Sequence, residues 1–81
     1  MEENILEILK DINPYVEIAE DTMLLEEGVL ESMSILLLIS ELEKSYNIEI
    51  PLDKIVEDDL VDVNAISNMV RRLIERSLLE E

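Results

Sequence analysis

Residues 28–51 read GVLESMSILLLISELEKSYNIEIP: a glycine turn, a serine, a strongly helical run and a proline stop. Gly28 supplies a backbone position free of Cβ constraint. Val29 and Leu30 are apolar and lead into Glu31 and Ser32. Beyond them Ile35, Ile39, Leu42 and Tyr46 recur at helical steps with Leu38 alongside, forming one stripe of an α-helix that faces a core. Ser32 falls where an N-cap serine belongs, so the helix is expected to begin at Glu31 or Ser32. Ile35, three residues further on, gives that serine no capping box.

A serine hydroxyl at a helix N-terminus, on the end of a glycine-containing loop, is open to an enzyme. Backbone N–H groups and the helix dipole favour a phosphate there. By this geometry alone the ordinary structural cap is the better reading, since a lone serine at a helix start is usually a cap. Ser34 is a rival hydroxyl, but it falls inside the first turn and not directly after the glycine loop.

The run G-V-L-E-S-M, the amphipathic helix after it and the ending Y-N-I-E-I-P together resemble the acyl carrier protein family. The similarity spans residues 21–73. Gly28, Tyr46, Ile48, Ile50 and Pro51 stand where such carriers place their glycine, aromatic, aliphatic and proline residues. The resemblance nominates Ser32 as the residue bearing 4′-phosphopantetheine, whose thiol holds an acyl or aminoacyl group as a thioester. The family motif is usually Asp-Ser followed by an apolar residue. Here it is Glu31-Ser32-Met33, which keeps the charge on a side chain one methylene longer. G-V-L-E-S is also similar to the G-L-L-D-S of D-alanyl and peptidyl carriers, which favours an aminoacyl or specialised acyl cargo over bulk fatty acid synthesis.

The 81 residues suit a single domain over residues 1–81 with no internal repeat or linker. A chain this short buries only about 60 to 65 per cent of its unfolded surface, so stability should be modest. Phe and Trp are absent, so the core must be aliphatic, and one glycine with two prolines argues for helices. There are 21 acidic and 6 basic residues, a formal charge of −15. That charge repels nucleic acid and implies basic partner surfaces. The absence of Cys and His removes Ser-His and Cys-His nucleophile pairs and ordinary zinc sites, so no catalysis is expected. The longest apolar run, residues 35–39, is far too short for a membrane span, and a cytoplasmic monomer is expected.

The fold expected is all-α: a small four-helix bundle of acyl carrier type, with a long loop between helices one and two and a short helix three. Helix one should cover residues 2–12, with Ile5, Ile8, Leu9 and Ile12 on its stripe, Leu6 on its flank and Asn13-Pro14 as its stop. Val16, Ile18, Met23, Leu25 and Leu30 are candidates for pinning the loop over residues 14–30. A third helix over residues 51–56 would turn Ile55 and Val56 inward. The last helix should begin at an Asp62 N-cap and carry Val63, Ile66, Met69 or Val70, Leu73 and Ser77 along one line, fraying from Leu78 to Glu81. Arg71, Arg72 and Arg76 would offset the acidity of helix one or of the loop.

The outward face of helix two would present Ser34, Leu37, Glu41 and Lys44. By the resemblance this face, with Glu31, Met33 and Ile55, meets partner enzymes: a phosphopantetheinyl transferase, an adenylating ligase or acyltransferase that loads the arm, and an enzyme that unloads it. Two other classes remain open. One is an unmodified acidic helical protein-interaction module. The other is a divalent-ion buffer at Glu57, Asp58, Asp59 and Asp62, although the calcium-loop pattern is missing and a solvated loop fits these residues better.

Overall fold

The computed structural model describes residues 1–80. It is all-helical: α1 over Glu2–Ile12, α2 over Ser32–Tyr46 and α3 over Val63–Glu80, with 3-10 segments at Leu52–Lys54 and Glu57–Leu60. α1 packs against both α2 and α3, and the second 3-10 segment packs against α3. The expected third helix is therefore two short 3-10 pieces. The peptide between them, Ile55 and Val56, is extended, with φ −82° and −114°. Pro51 starts a turn here, but Asp59 accepts the Val56 N–H at 3.2 Å and opens a new segment before an α-helix can propagate.

The core is aliphatic. Ile5, Ile8 and Leu9 of α1 meet Leu38, Ile39 and Leu42 of α2 and Val63, Ile66, Met69 and Val70 of α3. Each full burial contributes about 1.5 to 3 kcal/mol. Ile12, Leu6, Ile35 and Tyr46 lie at the core's margin, half-buried. α2 ends at Asn47, whose left-handed backbone (φ 52°) closes the helix. Glu43 Oε2 then accepts the Ile50 N–H at 3.0 Å, which holds the following connection against α2.

The long loop is pinned by Ile18, Leu24, Val29 and Leu30, all buried. Of the anchors expected from sequence, Ile18 and Leu30 hold and Leu25 is half-buried, whereas Val16 and Met23 face solvent. The reason is a backbone clasp. Leu24 N–H donates to Val61 O at 2.8 Å, and Leu30 N–H donates to Leu24 O at 3.0 Å. This fixes Leu24, and not its neighbour Met23, toward the bundle.

α3 begins as expected, with Asp62 Oδ1 accepting the Ala65 N–H at 2.8 Å. Its inward line passes through Ser67, which is fully buried, while Ser77 is exposed. Ser67 is accommodated because its hydroxyl donates to Glu2 Oε1 at 3.0 Å, joined there by Arg71 at 3.1 Å. Arg72 pairs with Asp59 at 2.8 Å. Arg71 and Arg72 thus offset helix one and the loop, as their positions suggested. The helix continues through Leu78, where fraying was expected, and Glu81 lies outside the described residues.

Val56 was expected to point inward. It is exposed, because the extended peptide between the 3-10 segments turns it outward, while Leu60 is buried in its place.

Candidate functional site

The site is built where the loop delivers the chain to α2. Gly28 takes φ +73°, a left-handed conformation open to glycine at little cost. The buried pair Val29 and Leu30 then anchors the strand of chain that follows. With that anchor in place, Glu31, Ser32 and Met33 emerge together on the surface.

Glu31, and not Ser32, is the N-cap: it is extended (φ −126°, ψ 178°) and its carbonyl accepts the Ile35 N–H at 2.8 Å. Its own N–H donates to Ser34 Oγ at 3.4 Å. The capping role expected of Ser32 therefore falls on a Glu31–Ser34 box, one register earlier. The E-x-x-S spacing carries the signal for this box, although serine's stronger cap preference favours Ser32 when the sequence is taken alone. Ser32 becomes the first residue of α2, exposed, with its hydroxyl outside the cap.

An exposed hydroxyl at the positive end of a fifteen-residue helix accommodates a phosphate ester without displacing any core group. The residues present fit such a group. Ser34 is half-buried and occupied in the cap.

The outward face of α2 is more apolar than charged. Met33, Leu36 and Leu37 are 72%, 50% and 52% exposed. Glu41 and Lys44 follow on the same face and approach each other at 3.8 Å, a pair that solvent screens. Leu36 was not singled out from the sequence, although its outward placement follows once Ile35, Leu38, Ile39 and Leu42 face the core. Across from the first turn of α2, Leu52 and Val56 are exposed as well. Ile55 is half-buried and lines, with Ile35, Leu25 and Leu60, an apolar groove of about 360 Å3.

The acidic cluster is committed elsewhere. Burial pushes the Asp59 carboxyl up, but hydrogen bonds from Arg72 and from the Val56 N–H, with the guanidinium charge, outweigh it and hold it below the ordinary carboxylate range. Asp62 caps α3. Among the described residues no group of three or more acidic side chains is placed to hold a metal ion. No helix among them is long and apolar enough to cross a membrane.

The model of the phosphopantetheine attachment site family matches residues 3–73. A D-alanyl carrier protein of Lactococcus lactis subsp. cremoris is 36% identical over 73 residues, covering 88% of this chain and 92% of that protein. A D-alanyl carrier protein of Listeria welshimeri is 36% identical over 59 residues, 70% of this chain and 76% of its own. With the helical fold and the exposed serine at the head of α2, these matches show that the chain belongs to the phosphopantetheine attachment site family of acyl carrier proteins and is a carrier that holds its substrate on a covalently attached 4′-phosphopantetheine arm.

Proposed function

We propose that Ser32 is the attachment residue. The observation that carries this reading is that Ser34 supplies the helix cap, leaving the Ser32 hydroxyl exposed and unemployed at the first position of α2. Ser32 Oγ attacks the pyrophosphate phosphorus that carries the pantetheine arm of coenzyme A. The phosphodiester forms as the pyrophosphate bond breaks and adenosine 3′,5′-bisphosphate leaves, and the dipole of α2 stabilises the charge that stays on the protein. The transferase supplies the base that takes the serine proton. The bound arm supplies a thiol for thioester formation, and the chain itself does no chemistry. Its contribution is effective concentration, since a tethered substrate reaches each partner without diffusing free.

The cargo proposed is D-alanyl or a closely similar aminoacyl group, supported by relatives that are named D-alanyl carrier proteins. The partners are a phosphopantetheinyl transferase, an adenylating ligase and an enzyme that unloads the arm, all in the cytoplasm. They dock on Glu31, Met33, Leu37, Glu41 and Lys44, to which the exposure of Leu36, Leu52 and Val56 adds apolar area. Ser34 and Ile55 border this face.

The test is the intact mass after incubation with coenzyme A and a promiscuous phosphopantetheinyl transferase, beside Ser32→Ala. A gain of one phosphopantetheinyl mass in the wild type alone supports the assignment. The modified protein is then offered D-alanine, ATP and an adenylating ligase. No gain with several transferases leaves the assignment without support and favours an unmodified interaction module.

A further inference from the structure

The chain has four methionines and no cysteine, so before an arm is attached its thioethers are its only sulfur. The fold separates them sharply. Met69 is 2% exposed in α3, Met1 and Met23 are 38% and 40% exposed, and Met33 stands furthest into solvent. Met33 is also the second residue of α2, next to Ser32. Helical side chains lean toward the N-terminus, which carries this thioether toward the serine. Leu36 and Leu37 follow on the same exposed apolar face and hold no sulfur.

That face therefore has one chemically soft point. A buried thioether is shielded from a dissolved oxidant, whereas one in solvent is open to it. Conversion to the sulfoxide replaces a flexible apolar tip by a polar, chiral one. On a surface whose contacts are apolar, the new S–O group must shed its water on docking with no donor provided for it. The fold is insulated from the change. Met33 does not pack on the core, and the cap of α2 is formed by Glu31 and Ser34.

We propose that Met33 is an oxidation site at which a peroxide closes the carrier to its partners and sulfoxide reduction reopens it. The sulfur attacks one oxygen of hydrogen peroxide. An S–O bond forms as the O–O bond breaks, the sulfur gives up two electrons, and the proton of the transferred oxygen leaves with hydroxide as water. In the return step a dithiol gives two electrons and two protons, becomes a disulfide and releases the oxygen as water. The inference rests on arm attachment at Ser32, where its consequence is read.

The test treats the full chain, before arm attachment, with hydrogen peroxide, desalts it, and adds coenzyme A and a phosphopantetheinyl transferase. Intact mass reports oxidation and arm attachment on the same molecules, and peptide masses locate each added oxygen. Met33 is expected to oxidise first and Met69 last. Oxygen on Met33 should lower the transferase's kcat/KM for the carrier about fivefold, through KM. Reductases for both sulfoxide epimers, with dithiothreitol, should restore it. Peroxide should cost Met33→Leu nothing beyond its own untreated rate, whereas Met23→Leu should lose rate as the wild type does. Oxidation of Met23 ahead of Met33, an unchanged kcat/KM once Met33 carries oxygen, a peroxide effect that persists in Met33→Leu, or a rate loss traced to unfolding by circular dichroism would each overturn the proposal. No arm on the untreated protein would instead overturn attachment at Ser32, and this inference with it.

Discussion

The backbone N–H of Glu31 donates to Ser34 Oγ at 3.4 Å, so the second serine of the E-S-M-S run caps α2 and the first stands free of the cap. The two hydroxyls, two residues apart, therefore have separable roles. Ser34→Ala should lower stability by up to about 1 kcal/mol through loss of the cap while leaving phosphopantetheinylation intact. Ser32→Ala should abolish the mass gain and move the thermal midpoint little. Thermal unfolding and intact mass, measured on both variants, read the two effects apart. Modification of Ser32→Ala would contradict the assignment.

Gly28 is held at φ +73°, and a Cβ built there meets nothing within 4 Å. A substitution is penalised by the backbone alone. Gly28→Ala should cost about 1 kcal/mol, a fall of roughly 4 to 8 °C in thermal midpoint for a domain of this size. Gly28→Asn should cost less, because asparagine tolerates the left-handed region better. If alanine is as stable as glycine, the loop does not hold this turn in solution.

Ser67, buried in α3, donates to Glu2 at the start of α1. That hydrogen bond is the main reason the Glu2 carboxyl titrates below its ordinary range. Burial opposes it, while the Arg71 and N-terminal charges reinforce it. A carboxylate with a lowered folded-state pKa contributes stability that is complete above its unfolded value and is lost as pH falls through the folded value. Ser67→Ala should therefore lower the thermal midpoint at pH 7, through loss of the hydrogen bond that favours the charged carboxylate. The difference from wild type should narrow below about pH 4. Thermal midpoints of both proteins across pH 3 to 7 test this. A pH-independent difference would assign the loss to packing.

Leu36 and Leu37 expose about half of their surface beside Ser32. Leu36→Glu and Leu37→Glu should change stability by less than about 0.5 kcal/mol, as surface substitutions do. Each should raise the KM of the loading ligase for the carrier several-fold, while the rate at saturating carrier stays within about twofold. Steady-state kinetics with the modified carrier as the varied substrate separates these outcomes. An unchanged KM in both would remove this face from the docking surface.

α1 and α3 were legible because their apolar residues recur at a clear helical period and their ends carry recognisable stops and caps: Asn13-Pro14 for α1 and Asp62 for α3. The region after Pro51 was not. Over residues 51–60 the chain is too short for a periodic signal, and local capping by Asp59 competes with propagation. Met23 and Val16, expected from the sequence as loop anchors, face solvent for a related reason. Without a period nothing in the sequence says which of two adjacent apolar residues turns inward. The hydrogen bond from Leu24 N–H to Val61 O settles it, and that partner lies 37 residues away along the chain.

By itself the sequence determined the all-helical class, the aliphatic core stripes and the serine that the family motif nominates, because periodicity, composition and motif spacing are local properties of the chain. Only the tertiary structure decided that Ser34 and not Ser32 caps α2, that Val56 faces water and that Ser67 is buried against Glu2. Each of those depends on which distant backbone or carboxylate comes within hydrogen-bonding or Coulombic reach, and that is set by how the helices pack.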